Sequence, residues 1–276
     1  MKPASNPEIS VREFDGRSIR IARWKGNGSN HLPILFFNGI GANLELIAPL
    51  ATRMAERDFI TFDMPGVGGS PEPALPYRPW MMARIADLLL DAFGYDKVDV
   101  MGVSWGGAMA QQFAVQCSGR VNRLILVATT AGMVMVPGKL AALTKMIDPR
   151  RYVDPDYMLR NFKILYGGAD TGSDAHVERI TAPSKTGYFY QLFAMLGWTS
   201  VPFLPFLQVE TLVMMGDDDQ IVRLINGRML AALIPNSRLE VIKGGGHLFL
   251  MSEADHCIGI IREFLKPAVA AQRQAA

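Results

Sequence analysis

Along the chain, short and largely apolar runs alternate with longer stretches whose apolar positions recur at helical spacing. The runs are Ile34 to Phe37, Phe59 to Phe62, Val98 to Val103, Leu124 to Ala128, Thr211 to Met215 and Leu239 to Ile242. Runs of this length without strict alternation suit parallel strands covered on both faces, and the stretches between them suit the covering helices. Ile9 to Phe14 and Ser18 to Trp24 flank Asp15-Gly16, a pair favoured in tight hairpin turns. The pattern predicts an α/β fold: a mostly parallel, doubly wound sheet with an antiparallel hairpin at one edge.

The rhythm breaks between Met133 and Val209, a stretch rich in Pro, Gly, Met and aromatic residues and too long for a connecting loop. It predicts a helical cap inserted after the sixth strand. Residues 133–209 then form the cap, and residues 1–132 and 210–276 form the core. Apolar residues of the cap such as Phe193 and Met195 either pack a helix onto the core or face a ligand, and spacing alone leaves both open. There is no internal repeat, and the tail Ala268 to Ala276 is expected to fray.

Composition narrows the function classes. With 276 residues, 49% of them apolar, the chain has room for one large core with an insertion. A formal net charge of +2, with no basic block interleaved with aromatics, gives no reason to expect a nucleic-acid partner. No apolar run is long enough for a membrane span, and Met1 to Gly16 lacks the apolar region of a secretory signal. Cys117 and Cys257 have no C-x-x-C spacing, so half-buried structural thiols in a reducing compartment are expected, with no disulfide or zinc site. Oligomeric state is left open.

The chemistry centres on Gly102-Val103-Ser104-Trp105-Gly106, between the run Val98 to Val103 and the helical pattern Ala108 to Cys117. The five-residue pattern alone is common. In strand–turn–helix context it predicts a nucleophile elbow, in which a sharp turn lifts the Ser104 hydroxyl above the sheet. A serine needs a base, and the base an orienting carboxylate. Of four histidines, His31 lies on the wrong side of Ser104, His176 falls in the cap and His256 in a C-terminal helical pattern. His247 follows the last strand through Gly244-Gly245-Gly246 and is the expected base. Asp217, Asp218 and Asp219 follow the run Thr211 to Met215. Spacing from Gly216 selects Asp219 as the acid and leaves its neighbours to a turn and a solvated face.

An oxyanion hole needs two inward backbone N–H groups. Trp105 and Ile40, the latter flanked by Gly39 and Gly41, are the candidates, although the glycines alone also fit a plain tight turn. The Gly-rich loop Asp63 to Ser70 lacks the Gly-Lys-Ser/Thr of a nucleotide loop and is expected to shape the site from one side. No metal or organic cofactor is expected. The alternatives are another hydrolase acting on small esters, lactones or C–C bonds, and a non-catalytic protein that binds a hydrophobic ligand or granule surface.

These residues resemble the α/β-hydrolase superfamily across essentially the whole chain. More narrowly, Phe37-Asn38-Gly39-Ile40-Gly41-Ala42-Asn43-Leu44-Glu45-Leu46, Pro65 to Ser70, Gly102 to Ala108, Gln111 to Ala114, Met135 to Lys139 and Leu196 to Ser200 resemble intracellular medium-chain-length polyhydroxyalkanoate depolymerases. Most superfamily members carry His where Asn38 stands. The resemblance implies hydrolysis of poly(3-hydroxyalkanoate) esters on cytoplasmic granules, with Ser104, Asp219 and His247 as the triad. Asn38 and Trp198 are then the candidates for substrate contact. One departure is Gln220-Ile221-Val222-Arg223, where the family usually has a proline.

Overall fold

In a computed structural model that describes residues 6–28, 31–168 and 173–266, the apolar runs become a single eight-stranded sheet. The strands are β1 (Glu8–Phe14), β2 (Arg17–Trp24), β3 (Ile34–Phe37), β4 (Phe59–Phe62), β5 (Val98–Val103), β6 (Val121–Val127), β7 (Glu210–Gly216) and β8 (Ser237–Ile242). Their spatial order is β1-β2-β4-β3-β5-β6-β7-β8. The β1–β2 and β2–β4 pairs are antiparallel and all other neighbours are parallel, which places the hairpin at one edge as its turn residues predict. The expected tail lies outside the described residues.

The helices are α1 (Ala48–Arg53), α2 (Pro79–Phe93), α3 (Trp105–Gln116), α4 (Leu140–Met146), α5 (Arg150–Val153), α6 (Pro155–Tyr166), α7 (Ser173–Arg179), α8 (Lys185–Met195), α9 (Leu224–Leu233), α10 (Phe249–Ser252) and α11 (Ala254–Phe264). Local chemistry sets several ends. Pro79 opens α2 where no N–H is needed, and Gly94 closes it at φ 74°. Asp154 and Ser184 cap α6 and α8 by accepting from the Tyr157 and Gly187 N–H groups.

Each central strand feeds two cores. Leu35, Phe37, Val100, Leu124, Leu126, Val213 and Met215 pack on one face with residues of α2, α3 and α9, such as Met82, Phe113 and Leu230. The alternate residues Ile34, Phe36, Met101, Ile125, Val127, Leu212 and Met214 pack on the other with Leu50 of α1 and Ile258 and Ile261 of α11. That two-sided burial is why these strands read as continuous apolar runs. Cys257 is fully buried rather than half-buried, and Cys117 is intermediate; both are free thiols. Between β6 and β7 the chain leaves the sheet and forms α4 to α8, above the strand ends that carry Ser104. Asp99 and Arg57 form a buried ion pair at 2.8 Å at the opposite, N-terminal end of β5.

Candidate active site

Ser104 sits between β5 and α3 with φ 56° and ψ −121°, a backbone conformation that side chains rarely adopt. The turn is held from three sides. The Ser104 N–H donates to the Val127 carbonyl at 2.8 Å, and the Ser104 carbonyl accepts from Thr129 Oγ1 at 2.6 Å and from the Gly107 N–H at 2.9 Å. No side chain fits at the flanking glycines. A Cβ on Gly102 would stand 2.3 Å from the Gly106 carbonyl oxygen, and one on Gly106 would stand 2.1 Å from that of Phe37. The start of α3 is thereby pressed against the end of β3, which brings the Asn38–Gly41 loop alongside Ser104.

His247 Nε2 lies 3.0 Å from Ser104 Oγ, and Nδ1 lies 2.7 Å from Asp219 Oδ2. Asp219 Oδ1 accepts from the Ile221 and Val222 N–H groups, each at 2.8 Å, and the carboxylate is fully enclosed. An ionised carboxylate only accepts, so Nδ1 carries the proton and Nε2 is left to accept from the serine hydroxyl. Gln220 to Arg223, the segment without the expected proline, thus still supplies the N–H groups that hold Asp219. Asp217 is exposed and accepts from the Gly244 N–H at 2.6 Å. Asp218 is not on a solvated face: it accepts from the Gly168 N–H at 2.7 Å and from Gln220 Nε2 at 2.7 Å. With the His247 N–H donating to the Tyr166 carbonyl at 2.6 Å, that contact clips the end of α6 to the histidine loop.

The Ile40 and Trp105 N–H groups donate to no protein acceptor among the described residues, so both are free for a ligand. Groups beside these N–H groups are tied to α8. The Gly41 N–H donates to Gln191 Oε1 at 2.8 Å, and Trp105 Nε1 donates to the Gln191 carbonyl at 3.0 Å.

A largely apolar cavity opens on Ser104 and His247. Its walls include Asn38, Ile40, Leu46, Met146, Ile180 and Leu248, together with Arg151, Tyr152 and His176. The structure brings Asn38 to this cavity, but its amide organises its own loop, donating to the Asn43 carbonyl and accepting from the Gly39 N–H, both at 3.0 Å. Trp198 is not part of the wall. It is half-buried against Gly132, and its Nε1 donates to Gln112 Oε1 at 2.8 Å. The loop Asp63 to Ser70 is also outside the wall. It seats α8 instead, with the Ser184 N–H donating to the Gly66 carbonyl at 2.9 Å.

Sequence reasoning passed over Gln191, Arg151 and His176. All three are buried, and each touches the site from 40 or more positions away along the chain, so no local spacing marks them. Residue type marks them no better, since the same stretch carries other charged residues such as Arg150, Asp154, Arg160 and Arg179.

Residues 33–254 match the alpha/beta hydrolase fold family. Poly(3-hydroxyalkanoate) depolymerase of Ectopseudomonas oleovorans is 46% identical over 92% of this chain and 91% of its own. 2-Hydroxymuconate semialdehyde hydrolase of a Pseudomonas strain is 28% identical over 98% of each chain. Among solved structures, an esterase from Exiguobacterium antarcticum superposes with a TM-score of 0.79 at 22% identity, covering 93% of this chain and 98% of its own.

Proposed function

We propose that this chain, which belongs to the alpha/beta hydrolase family and groups within it with poly(3-hydroxyalkanoate) depolymerase, hydrolyses ester bonds of poly(3-hydroxyalkanoate), of medium side-chain length, through an acyl-enzyme. It is a serine ester hydrolase. The observation that carries the reading is the continuous path Asp219–His247–Ser104, with contacts of 2.7 and 3.0 Å, beneath two free N–H groups.

In the first step, Ser104 Oγ attacks the ester carbonyl as His247 Nε2 takes its proton. The oxyanion is received by the N–H groups of Ile40 and Trp105, where losing one such donor typically costs about 10²–10³ in rate. Asp219 holds the imidazole and stabilises its charged form. His247 then gives the proton to the departing alkoxide, and in the second step it activates water against the acyl-enzyme. The products are a free carboxylate and a free hydroxyl. The likeness to 2-hydroxymuconate semialdehyde hydrolase, at 28% identity against 46% for the depolymerase, gives C–C cleavage less support.

Contact with a water-insoluble granule calls for exposed apolar surface, and α8 with its exit supplies it. Phe189, Leu192, Phe193 and Leu196 are 60%, 47%, 37% and 58% exposed, and Phe189 stacks on Phe193. Met133, itself exposed, adjoins them by accepting from the Gly197 N–H through its sulfur at 2.7 Å. These residues, rather than the pinned Trp198, form the granule-contact surface of the proposal. The test is incubation with amorphous medium-chain and short-chain polyhydroxyalkanoate granules and measurement of released hydroxy acid. Release from the medium-chain granules, abolished in Ser104→Ala, is the expected result. Hydrolysis of soluble esters with no release from either granule would overturn the substrate assignment.

A further inference from the structure

The wall of the cavity that faces away from the sheet holds two groups that nothing in the acyl-transfer chemistry uses. Arg151, on α5, is only 5% exposed, yet among the described residues it meets no carboxylate. Its Nη2 donates to the hydroxyls of Tyr152 and, at 3.0 Å, Tyr188, and its Nε has no partner. Besides His176, the titratable groups acting on it are the phenols of Tyr152, Tyr166 and Tyr188, none of which is an anion at neutral pH. His176, on α7, is 6% exposed, and both of its ring nitrogens are without a partner among the described residues. The rings of Phe162 and Tyr166 pack edge-on against it. Both residues line the same cavity as Ser104 and His247.

Buried charges are normally paired and buried polar atoms normally bonded, because leaving either unmet costs free energy. A guanidinium facing a cavity, short of an acceptor, beside an imidazole also short of partners, is matched by one kind of ligand group. That group is planar, anionic and able to accept from several donors at once, which describes a carboxylate. The two tyrosine bonds account for only part of the arginine's donor fork and neutralise none of its charge.

We propose that Arg151 and His176 form a carboxylate-binding subsite in the reaction cavity, and that it holds the free acid end of a short hydroxyacid ester while Ser104 attacks the ester bond. The inference rests on the reading of the site as an ester hydrolase. It adds a preference that the triad and the apolar wall do not contain. A neutral ester of the same shape fills the apolar wall but leaves the guanidinium unmet. The bound acid in turn removes a positive charge that the fold otherwise holds unpaired.

The experiment compares the linear dimer of 3-hydroxyoctanoic acid, bearing a free carboxyl, with its methyl ester. The readout is the ratio of kcat/KM for acid over methyl ester at neutral pH. The wild-type protein should favour the acid by about 10- to 100-fold, the size of one charge-assisted interaction, with most of the difference in KM. In Arg151→Gln the ratio should fall toward one, whatever the absolute rates, and Arg151→Lys should recover part of it. His176→Phe, which keeps the apolar packing, should lower the ratio several-fold. A wild-type ratio of one or less overturns the subsite, and so does an Arg151→Gln variant that loses both activities equally and keeps its ratio. Should neither dimer be hydrolysed, the proposed reaction fails, and titration calorimetry of 3-hydroxyoctanoate against its methyl ester on Ser104→Ala still decides the subsite. Binding of the acid alone supports it; equal binding, or none, sinks it.

Discussion

The two walls of the cavity are built on opposite terms. On the strand side the groups that shape the site are held in place, with only the Ile40 and Trp105 N–H groups left open among the described residues: Asp219 is held by two backbone N–H groups, the Ser104 turn by three hydrogen bonds, and Asn38 by its own loop. On the helical side Arg151 Nε and both nitrogens of His176 are buried with no partner among the described residues. The satisfied wall is fixed before any substrate arrives, as transition-state stabilisation requires. The unsatisfied wall is completed only by what binds, so selectivity belongs there. Division of this kind lets one reaction geometry serve many substrates.

The largest test of the strand side is Ser104→Ala, which should lower ester hydrolysis by about 10⁴- to 10⁶-fold and abolish labelling by a fluorophosphonate while the thermal melt is unchanged. Residual activity well above that level would place the nucleophile elsewhere. Next is Asp219→Asn, expected to lose about 10⁴-fold because the imidazole is then offered the wrong partner. Asp217→Asn should leave activity largely intact. A large loss there, with Asp219→Asn active, would move the acid and undo the contrast between a fixed and an open wall.

The helical side gives smaller effects. Replacing Phe193 and Leu196 together by Ser should lower the ratio of granule hydrolysis to p-nitrophenyl ester hydrolysis by about tenfold, given the apolar surface they expose. An unchanged ratio would remove this surface from granule contact. The last test on this side concerns pH. Burial, with the charges of Arg151 and Arg179, pushes the His176 imidazole down from 6.5 to about 4, and the rings packed on it are those of Phe162 and Tyr166. The unfolded chain therefore takes up a proton that the fold refuses. Stability should be pH-independent in this respect above about 6.5, fall by up to about 3 kcal/mol as pH drops toward 4, and level off below. His176→Phe should flatten that part of the melting-temperature profile relative to wild type. Parallel profiles would show that His176 is hydrated or bonded, and the helical wall would be less open than described.

The same contrast explains what was legible beforehand. β3, β4 and β5 run between the residues that the apolar pattern marks, because burial on both faces writes itself as a continuous run. β6 begins at Val121 and β8 at Ser237, earlier than the pattern indicates, because their first turns carry exposed polar residues such as Asn122 and Arg238 that hide the start. The elbow is legible because its glycines stand at fixed spacing on either side of Ser104, Gly102 demanded by a contact inside the turn and Gly106 by the end of β3. Asp218, Gln191, Arg151 and His176 were not: Asp218 and Gln191 act on backbone far away in the chain, and Arg151 and His176 are marked only by burial, which the folded chain alone reveals. The loop Asp63 to Ser70 misleads for a related reason: Gly66 answers to α8, Gly68 to Asp63 and Gly69 to Arg20, not to the reaction.

Gly66 and Gly187 meet backbone to backbone. A Cβ on Gly66 would stand 2.5 Å from the Gly187 Cα, and one on Gly187 would stand 2.4 Å from the Gly66 carbonyl oxygen. For anyone exchanging helical segments between relatives to alter substrate range, this is the seam along which the graft must be cut. A donor segment with any side chain at that point rides up on the loop below it, and four residues later the glutamine that braces Gly41 and Trp105 is carried out of register. Segments that keep Gly187 and Gln191 retain this lock on the catalytic floor, which makes the pair a design rule for building new specificities on this scaffold.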